Sequence, residues 1–196
     1  MKTKKKSSFK NWKRTISCYE FAFLEFLAVN FSLFYHLLMK WRTPVFSNEI
    51  NSVAITKKDK VLHIGCGILP TASILIAQQK NANVVGIDNN INAVKFAKRF
   101  VEKKNLSNKI TIEYGEGVQY PVKDFDVFFI AANVWPLDDI FKHLAVNMKS
   151  DARILCKCLE KDISKFLKNN DLESVFSIDK SIDNPQTYSF VLTKNG

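Results

Sequence analysis

The sequence has few of the residues from which metal and disulfide sites are built. It contains 3 histidines and 4 cysteines, namely Cys18, Cys66, Cys156 and Cys158. No C-x-x-C pair and no zinc-ligand spacing occurs among them. We therefore expect no metal site, and reduced, buried thiols in a cytoplasmic protein. The P-loop signature G-x-x-x-x-G-K-[ST] is also absent, which excludes that class of nucleotide-binding loop.

Acidic residues are absent from the start of the chain until Glu20. The cations before it are Lys2, Lys4, Lys5, Lys6, Lys10, Lys13 and Arg14. These seven account for most of the formal net charge of +10, and +3 remains without them. We predict that residues 1–14 form a solvated, disordered basic tail, with attraction to anionic lipid or nucleic acid as the alternative. Because no RNA-binding aromatic motif accompanies the tail, we expect no nucleic-acid partner.

Residues 21–39 form a nearly continuous apolar run, interrupted by Glu25, Asn30, Ser32 and His36. A carboxylate in a bilayer core costs about 2.5–3.5 kcal/mol, which counts against a membrane span. Glu25, Ser32 and His36 lie at i, i+7 and i+11, so a continuous helix would carry them on one stripe. We predict that residues 15–55 form a helical lid, which breaks at Pro44 and continues as a short helix over residues 45–53. An interfacial membrane helix and a membrane span are the alternatives.

From residue 60 onward, short apolar segments alternate with helical patterns. We predict strands at residues 60–64, 83–88, 109–114, 126–131, 153–157, 172–178 and 187–193. Helices are predicted at residues 71–79, 91–104, 138–148 and 162–167. The alternation indicates an α/β fold over residues 56–196, with a Rossmann-like, doubly wound, mostly parallel sheet that ends in an antiparallel hairpin. Ligands of such sheets bind beyond the carboxyl ends of the strands.

A glycine turn, Gly65-Cys66-Gly67-Ile68-Leu69-Pro70, follows the first predicted strand, and Asp88 ends the second. A dinucleotide-binding turn needs a third glycine where this chain has Pro70, which counts against NAD or FAD. S-adenosylmethionine has no pyrophosphate and needs two turn glycines, an acid for the ribose and an acid for the adenine amine. Asp88 and Glu116 can supply the two acids, although Asp88 could instead cap a helix and Glu116 could be a solvated loop acid. The predicted cofactor-binding residues are Gly65, Cys66, Gly67, Asp88, Asn89, Glu116, Gly117 and Ala131.

With these residues, positions 60–196 resemble the class I S-adenosylmethionine-dependent methyltransferases. The turn from Gly65 to Pro70 also resembles the G-x-G-P-L-P turn of nicotianamine synthase-like proteins, including the short archaeal members. Asn48-Glu49 falls where those proteins carry an Asn-Glu pair. The narrower resemblance implies a methyltransferase-like fold and transfer of the aminocarboxypropyl group of S-adenosylmethionine to an amine.

We therefore expect an S-adenosylmethionine-dependent transferase, in the first place a methyltransferase acting on a small-molecule or amine acceptor. The alternatives are an aminocarboxypropyltransferase making a metal-chelating product, and a non-catalytic S-adenosylmethionine-binding or membrane-associated module. Transfer to an amine needs precise alignment and a group that takes up a proton. The catalytic candidates are Glu25, His36, Glu49 and Asn133. We expect a cytoplasmic protein, with peripheral membrane contact through residues 1–41 as an option.

Overall fold

The computed structural model describes residues 22–158, 161–184 and 187–195. The predicted basic tail, residues 1–14, lies outside this part of the chain. The strands are β1 (Lys60–Ile64), β2 (Asn83–Asp88), β3 (Ile110–Tyr114), β4 (Val127–Ile130), β5 (Arg153–Cys158), β6 (Phe176–Asp183) and β7 (Tyr188–Lys194). The helices are α1 (residues 22–30), α2 (Ser32–Ser52), α3 (Thr71–Lys80), α4 (Ile91–Lys103), α5 (Leu137–Asn147) and α6 (Ile163–Asn169).

The strands form one seven-stranded sheet in the order β3-β2-β1-β4-β5-β7-β6. The first five strands are parallel, and β7 pairs antiparallel with both β5 and β6. This confirms the predicted Rossmann-like, mostly parallel sheet with an antiparallel terminal hairpin. The strand order reverses between β1 and β4, and that switch point is where such sheets bind ligands.

Two hydrophobic clusters cover the two faces of the sheet, because successive side chains of a strand point to opposite faces. Val61 of β1 packs with α1, α2, α3 and α4 in one cluster. Leu62 of β1 packs with α5 and α6 in the other. The helices α1 and α2 thus share a core with α3 and α4. The predicted boundary between a lid, residues 15–55, and a domain, residues 56–196, stays a prediction.

The N-terminal helices differ from the prediction in two places. The helix breaks at Phe31, whose backbone is extended (φ −119°, ψ 117°), and a new helix begins at Ser32. Conversely, α2 runs through Pro44, where the sequence predicted an end. Pro44 and Lys40 are both exposed, so water can satisfy the Lys40 carbonyl that proline leaves without a donor. The buried residues of α2 on both sides of Pro44, from Tyr35 to Ile50, keep the helix packed on the core.

The sixth strand also differs, since β6 spans Phe176–Asp183 rather than residues 172–178. Backbone N–H groups of Val175 and Phe176 bond to the carbonyl of Leu172, which makes that segment a turn. Among the described residues, no helix has the length and apolarity that crossing a membrane requires.

Candidate active site

A cleft of about 1080 Å³ opens at the carboxyl ends of the central strands. Its walls come from the loops after β1, β2, β3 and β4, and from α1 and α2. Ligand pockets usually measure roughly 300–1000 Å³. The cleft is therefore large enough for a nucleotide-sized molecule and a second, smaller molecule.

The glycine turn after β1 forms the floor of this cleft. Gly65 and Gly67 have φ values of +77° and +69°, a region that residues with a Cβ rarely adopt. A Cβ on Gly65 would overlap the Cγ2 atom of Val134, and one on Gly67 would lie 2.9 Å from Oε2 of Glu25. Both positions thus need glycine for the backbone conformation and for the space above it.

Asp88 ties the glycine turn to the end of β2. Its Oδ2 accepts a hydrogen bond from the Gly67 N–H at 2.9 Å, and its Oδ1 accepts one from the Asn90 N–H at 2.9 Å. The cap of α4 is Asn90, whose side chain accepts from the Asn92 and Ala93 N–H groups. The alternative in which Asp88 caps that helix is therefore wrong. A carboxylate has about four acceptor positions, so both Asp88 oxygens can still receive bonds from a ligand.

All eight residues predicted to bind a cofactor line the cleft. Glu116 lies on the loop after β3, is exposed, and accepts a 3.1 Å hydrogen bond from Nε2 of Gln119. The loops after β2 and β4 contribute Asn89 and Ala131 to the walls. All eight therefore lie around one cleft, and their roles in binding stay a prediction.

Glu25 reaches from α1 over the glycine turn into the cleft. Its Oε1 pairs with Nη1 of Arg42 at 2.9 Å, and its Oε2 accepts from the Leu69 N–H at 3.4 Å. Burial raises the pKa of this carboxyl, although Arg42 acts in the opposite direction. Burial and the nearby charges of Asp88 and Glu25 raise the pKa of the Cys66 thiol well above its usual range. A thiolate at Cys66 is therefore disfavoured.

The other three catalytic candidates have different surroundings. Asn133 lines the cleft on the loop after β4. His36 is exposed and does not line it, because the helix break at Phe31 destroys the stripe expected to join His36 to Glu25. Glu49 does not line the cleft either, and it is 0% exposed.

Glu49 instead holds part of the cleft wall from behind. It pairs with Nζ of Lys157 at 2.8 Å and accepts hydrogen bonds from Nδ2 of Asn184 at 2.8 Å and Oγ of Ser189 at 2.6 Å. Both Lys157 and Asn184 line the cleft. Burial lowers the pKa of Lys157 against the influence of Glu49. Burial, together with the Lys157 charge, lowers the pKa of His63 to about 3, and its Nδ1 lies 2.8 Å from Oγ of Ser73.

The sequence reasoning missed Arg42, Lys157 and Asn184. For Arg42 and Lys157 the sequence does offer a signal, which is a charge next to or within an apolar segment. Arg42 follows a long apolar run, and Lys157 lies between two cysteines of a buried strand. Asn184 has no such signal. Among the described residues, no three His, Cys, Asp or Glu side chains are grouped in a way that could hold a metal ion.

Solved structures with this fold include enzymes bound to nucleotide-like ligands. A Glu-to-Gln mutant of MtNAS in complex with S-adenosylmethionine has a TM-score of 0.73 and 15% identity, over 88% of this chain and 71% of that one. MtNAS has also been solved in complex with MTA and tNA. A Methanococcus maripaludis protein described as an S-adenosyl-L-methionine-dependent methyltransferase has a TM-score of 0.71 and 16% identity, over 88% of this chain and 94% of that one. These likenesses confirm the predicted methyltransferase-like fold.

Curated relatives match shorter stretches. The Sterol 24-C-methyltransferase of Aspergillus fumigatus is 32% identical over 99 residues, which are 48% of this chain and 26% of that protein. The chain thus spans about a quarter of the length of this relative. A Methanobrevibacter smithii protein described as a probable cobalt-precorrin-6B C(15)-methyltransferase is 24% identical over 136 residues, 68% of this chain and 67% of that one.

A match to a family model covers most of the chain. The family described as Nicotianamine synthase protein matches residues 16–180, which include the glycine turn, Asp88, Glu116 and the Asn48-Glu49 pair. The resemblance drawn from those residues is confirmed. The chain belongs to the nicotianamine synthase protein family.

Proposed function

We propose that this chain transfers a group from S-adenosylmethionine to an amine acceptor. The observation that carries the proposal is the position of Glu25, a carboxylate only 17% exposed that is held directly above the glycine turn by Arg42 and the Leu69 N–H. Burial raises the pKa of this carboxyl, which makes the carboxylate a better proton acceptor than an exposed one. The fold, the family and the cleft residues all support the same donor.

The residues of the cleft floor fit S-adenosylmethionine. Gly65 and Gly67 supply the left-handed backbone of the turn, and Asp88 at the end of β2 has acceptor capacity for the ribose hydroxyls. Glu116 on the next loop can accept from an exocyclic amine. No pyrophosphate has to be accommodated, in agreement with Pro70 at the start of α3.

In the transfer, the nitrogen lone pair of the acceptor attacks a carbon attached to the sulfonium. The new N–C bond forms as the C–S bond breaks, and its electron pair leaves with the sulfur as a neutral thioether. An amine that is protonated in water must lose that proton before its lone pair can attack, and we assign that proton to the Glu25 carboxylate. The chain otherwise contributes alignment, through the turn, Asn133 and the wall built on Lys157.

Two transferred groups are compatible with this site. Membership of the nicotianamine synthase family favours the aminocarboxypropyl group, and methylthioadenosine is then the second product. The sterol and precorrin methyltransferase relatives favour the methyl group, and S-adenosylhomocysteine is then the second product. The acceptor is a small molecule in both cases.

Product analysis tests the proposal. Incubation with S-adenosylmethionine and a panel of amines should yield methylthioadenosine or S-adenosylhomocysteine by liquid chromatography. Glu25→Gln should lower the rate about 10²–10⁴-fold while calorimetry still detects donor binding. The matched control is Glu102→Gln, an exposed glutamate on α4 away from the cleft, which should keep the full rate. A full rate in Glu25→Gln excludes the assigned base, and unchanged donor binding in Asp88→Ala excludes the assigned binding mode.

A further inference from the structure

A second feature of α1 and α2 lies on the side that faces solvent, and of its residues Trp41 alone also lines the cleft. Of 12 exposed large hydrophobic residues among the described residues, 8 fall within 19 consecutive positions. We call this set the apolar face: Phe23, Leu24, Phe26, Phe31, Leu33, Phe34, Leu37 and Trp41. Scattered exposed apolar residues are ordinary, but a concentration of this kind on two neighbouring helices indicates an interaction surface.

The geometry of α2 shows that this face is a regular stripe. Leu33, Leu37 and Trp41 lie at i, i+4 and i+8 and are 70%, 58% and 52% exposed. On the opposite side of the helix, Tyr35 and Met39 are buried against the core. A helix on a water-exposed surface ordinarily carries polar residues on its outer side. On α2 that side carries the polar Ser32, His36 and Lys40 beside the apolar stripe, so it is apolar in part.

The helix break adds to the same surface. Phe31, the residue at the break, is 55% exposed, and its ring contacts that of Phe34 with centroids 6.3 Å apart. Within residues 21–41 the only charged side chains are Glu25 and Lys40, and Glu25 is turned into the cleft. The apolar face therefore has almost no charge of its own.

A basic helix flanks the apolar face. Both N-terminal helices pack on α4, through Phe26 against Phe96 and Tyr35 against Phe100. Exposed cations of α4 are Lys95, Lys98, Arg99 and Lys103, against one exposed acid, Glu102. The chain before α1 adds seven more cations ahead of Glu20. An apolar surface bordered by cations matches the chemistry of an anionic lipid bilayer, whose headgroups lie above its acyl chains.

We propose that this chain docks on an anionic bilayer through the apolar face of α1 and α2. The aromatic and leucine side chains enter the region between headgroups and acyl chains, and the cations of α4 contact the headgroups. Two other partners could cover the apolar face instead of a bilayer. They are a second copy of the chain and residues 1–21 of the same chain. The proposal does not depend on catalysis, so Glu25→Gln should bind vesicles as well as the unaltered chain.

Vesicle co-sedimentation of the full chain tests this. We expect binding to vesicles of phosphatidylcholine with phosphatidylserine, and weaker binding to phosphatidylcholine alone. The double variant Leu33→Gln/Leu37→Gln should lower the partition coefficient by about tenfold or more. Val146→Gln is the matched control, since Val146 is 78% exposed but lies on α5 outside the apolar face. It should partition as the unaltered chain does.

A separate variant tests the electrostatic contribution of α4 to vesicle binding. Replacing Lys98 and Arg99 with glutamine should lower partitioning by about fivefold for each cation that contacts the headgroups. The loss should shrink at high salt, because exposed charges are screened. Melting temperatures equal to that of the unaltered chain would show that these exposed substitutions leave the fold intact.

Several results would overturn the proposal. If Leu33→Gln/Leu37→Gln partitions onto vesicles as well as the unaltered chain, the apolar face takes no part in the interaction. A dimer by light scattering that the same variant dissociates, without vesicle binding, assigns the face to a second copy. Amide hydrogen exchange over α1 that is slow only when residues 1–21 are present, again without vesicle binding, would assign the apolar face to the chain's own N-terminal residues.

Discussion

Replacing Glu49 with glutamine should destabilise the fold more than any exposed charge change. Glu49 is 0% exposed, and its two oxygens receive hydrogen bonds from Lys157, Asn184 and Ser189. Glutamine keeps the shape but removes the charge, and its amide NH₂ would face groups that are themselves donors. Lys157, with a side chain 9% exposed, would then be a buried ammonium without its counter-ion.

The size of the effect follows from that burial. Removing one partner of a buried ion pair costs about 3–5 kcal/mol, a large part of the roughly 5–15 kcal/mol that stabilises a typical domain. For a chain of 150–250 residues, each kcal/mol lowers the melting temperature by about 2–4 °C. We therefore expect Glu49→Gln to melt about 6–20 °C below the unaltered chain.

Circular dichroism with urea and with heat measures this directly. The control is Asp138→Asn, which removes a pair with Lys142 at 3.8 Å whose side chains are 37% and 52% exposed. That change should cost less than about 0.5 kcal/mol. The double variant Glu49→Gln/Lys157→Met should recover part of the loss, because methionine leaves no uncompensated charge.

A loss below about 1 kcal/mol in Glu49→Gln would refute the reasoning, since it would mean that the carboxylate is solvated. The reasoning would also be refuted if the stability lost by Glu49→Gln/Lys157→Met equalled the sum of the losses of the two single variants. Losses add at independent sites but not at coupled ones.

Three further outcomes follow from other parts of the structure. Gly65→Ala should abolish S-adenosylmethionine binding in calorimetry, because its φ of +77° and the overlap with Val134 both exclude a Cβ; undiminished affinity would contradict this. Asn90→Ala should cost about 1 kcal/mol in urea denaturation, since its side chain caps α4 through two backbone N–H groups; a loss within error would show that the cap is dispensable. The His63 imidazole, with a pKa of about 3, should show no titration in NMR spectra between pH 5 and 8. Because the unfolded state takes up that proton below its pKa of about 6.5 while the folded state does not, His63 should make the fold less stable as pH falls from about 6.5 towards 3; a resonance that titrates near 6.5 would refute this.

The cleft floor could be predicted from the sequence because its constraints are local. Gly65 and Gly67 are needed by backbone conformation, and Asp88 follows from its place at the end of a strand in a parallel sheet. The alternation of apolar segments likewise predicts the order in which the strands and helices of the sheet domain follow one another along the chain. Each of these features depends on residues close together in the chain.

The features that the sequence did not predict depend on distant residues. Lys157 and Glu49 are 108 positions apart, so neither the burial of Glu49 nor its role behind the cleft wall is visible locally. His36 was grouped with Glu25 by helical periodicity, and the break at Phe31 removed that relation. Both N-terminal helices pack on α4 and on the core, and these contacts between distant residues are not visible in helical periodicity.

Trp41 belongs to two surfaces at once. It lines the cleft, and it is also the last residue of the apolar face, half of its surface remaining exposed. A molecule in the cleft and a surface against α2 therefore act on the same indole. Coupling between two binding events is reciprocal, so any change that a bilayer makes in the affinity for S-adenosylmethionine must be matched by an equal change in the affinity for the bilayer. The proposed donor binding and the proposed bilayer docking would thus be coupled through this one tryptophan.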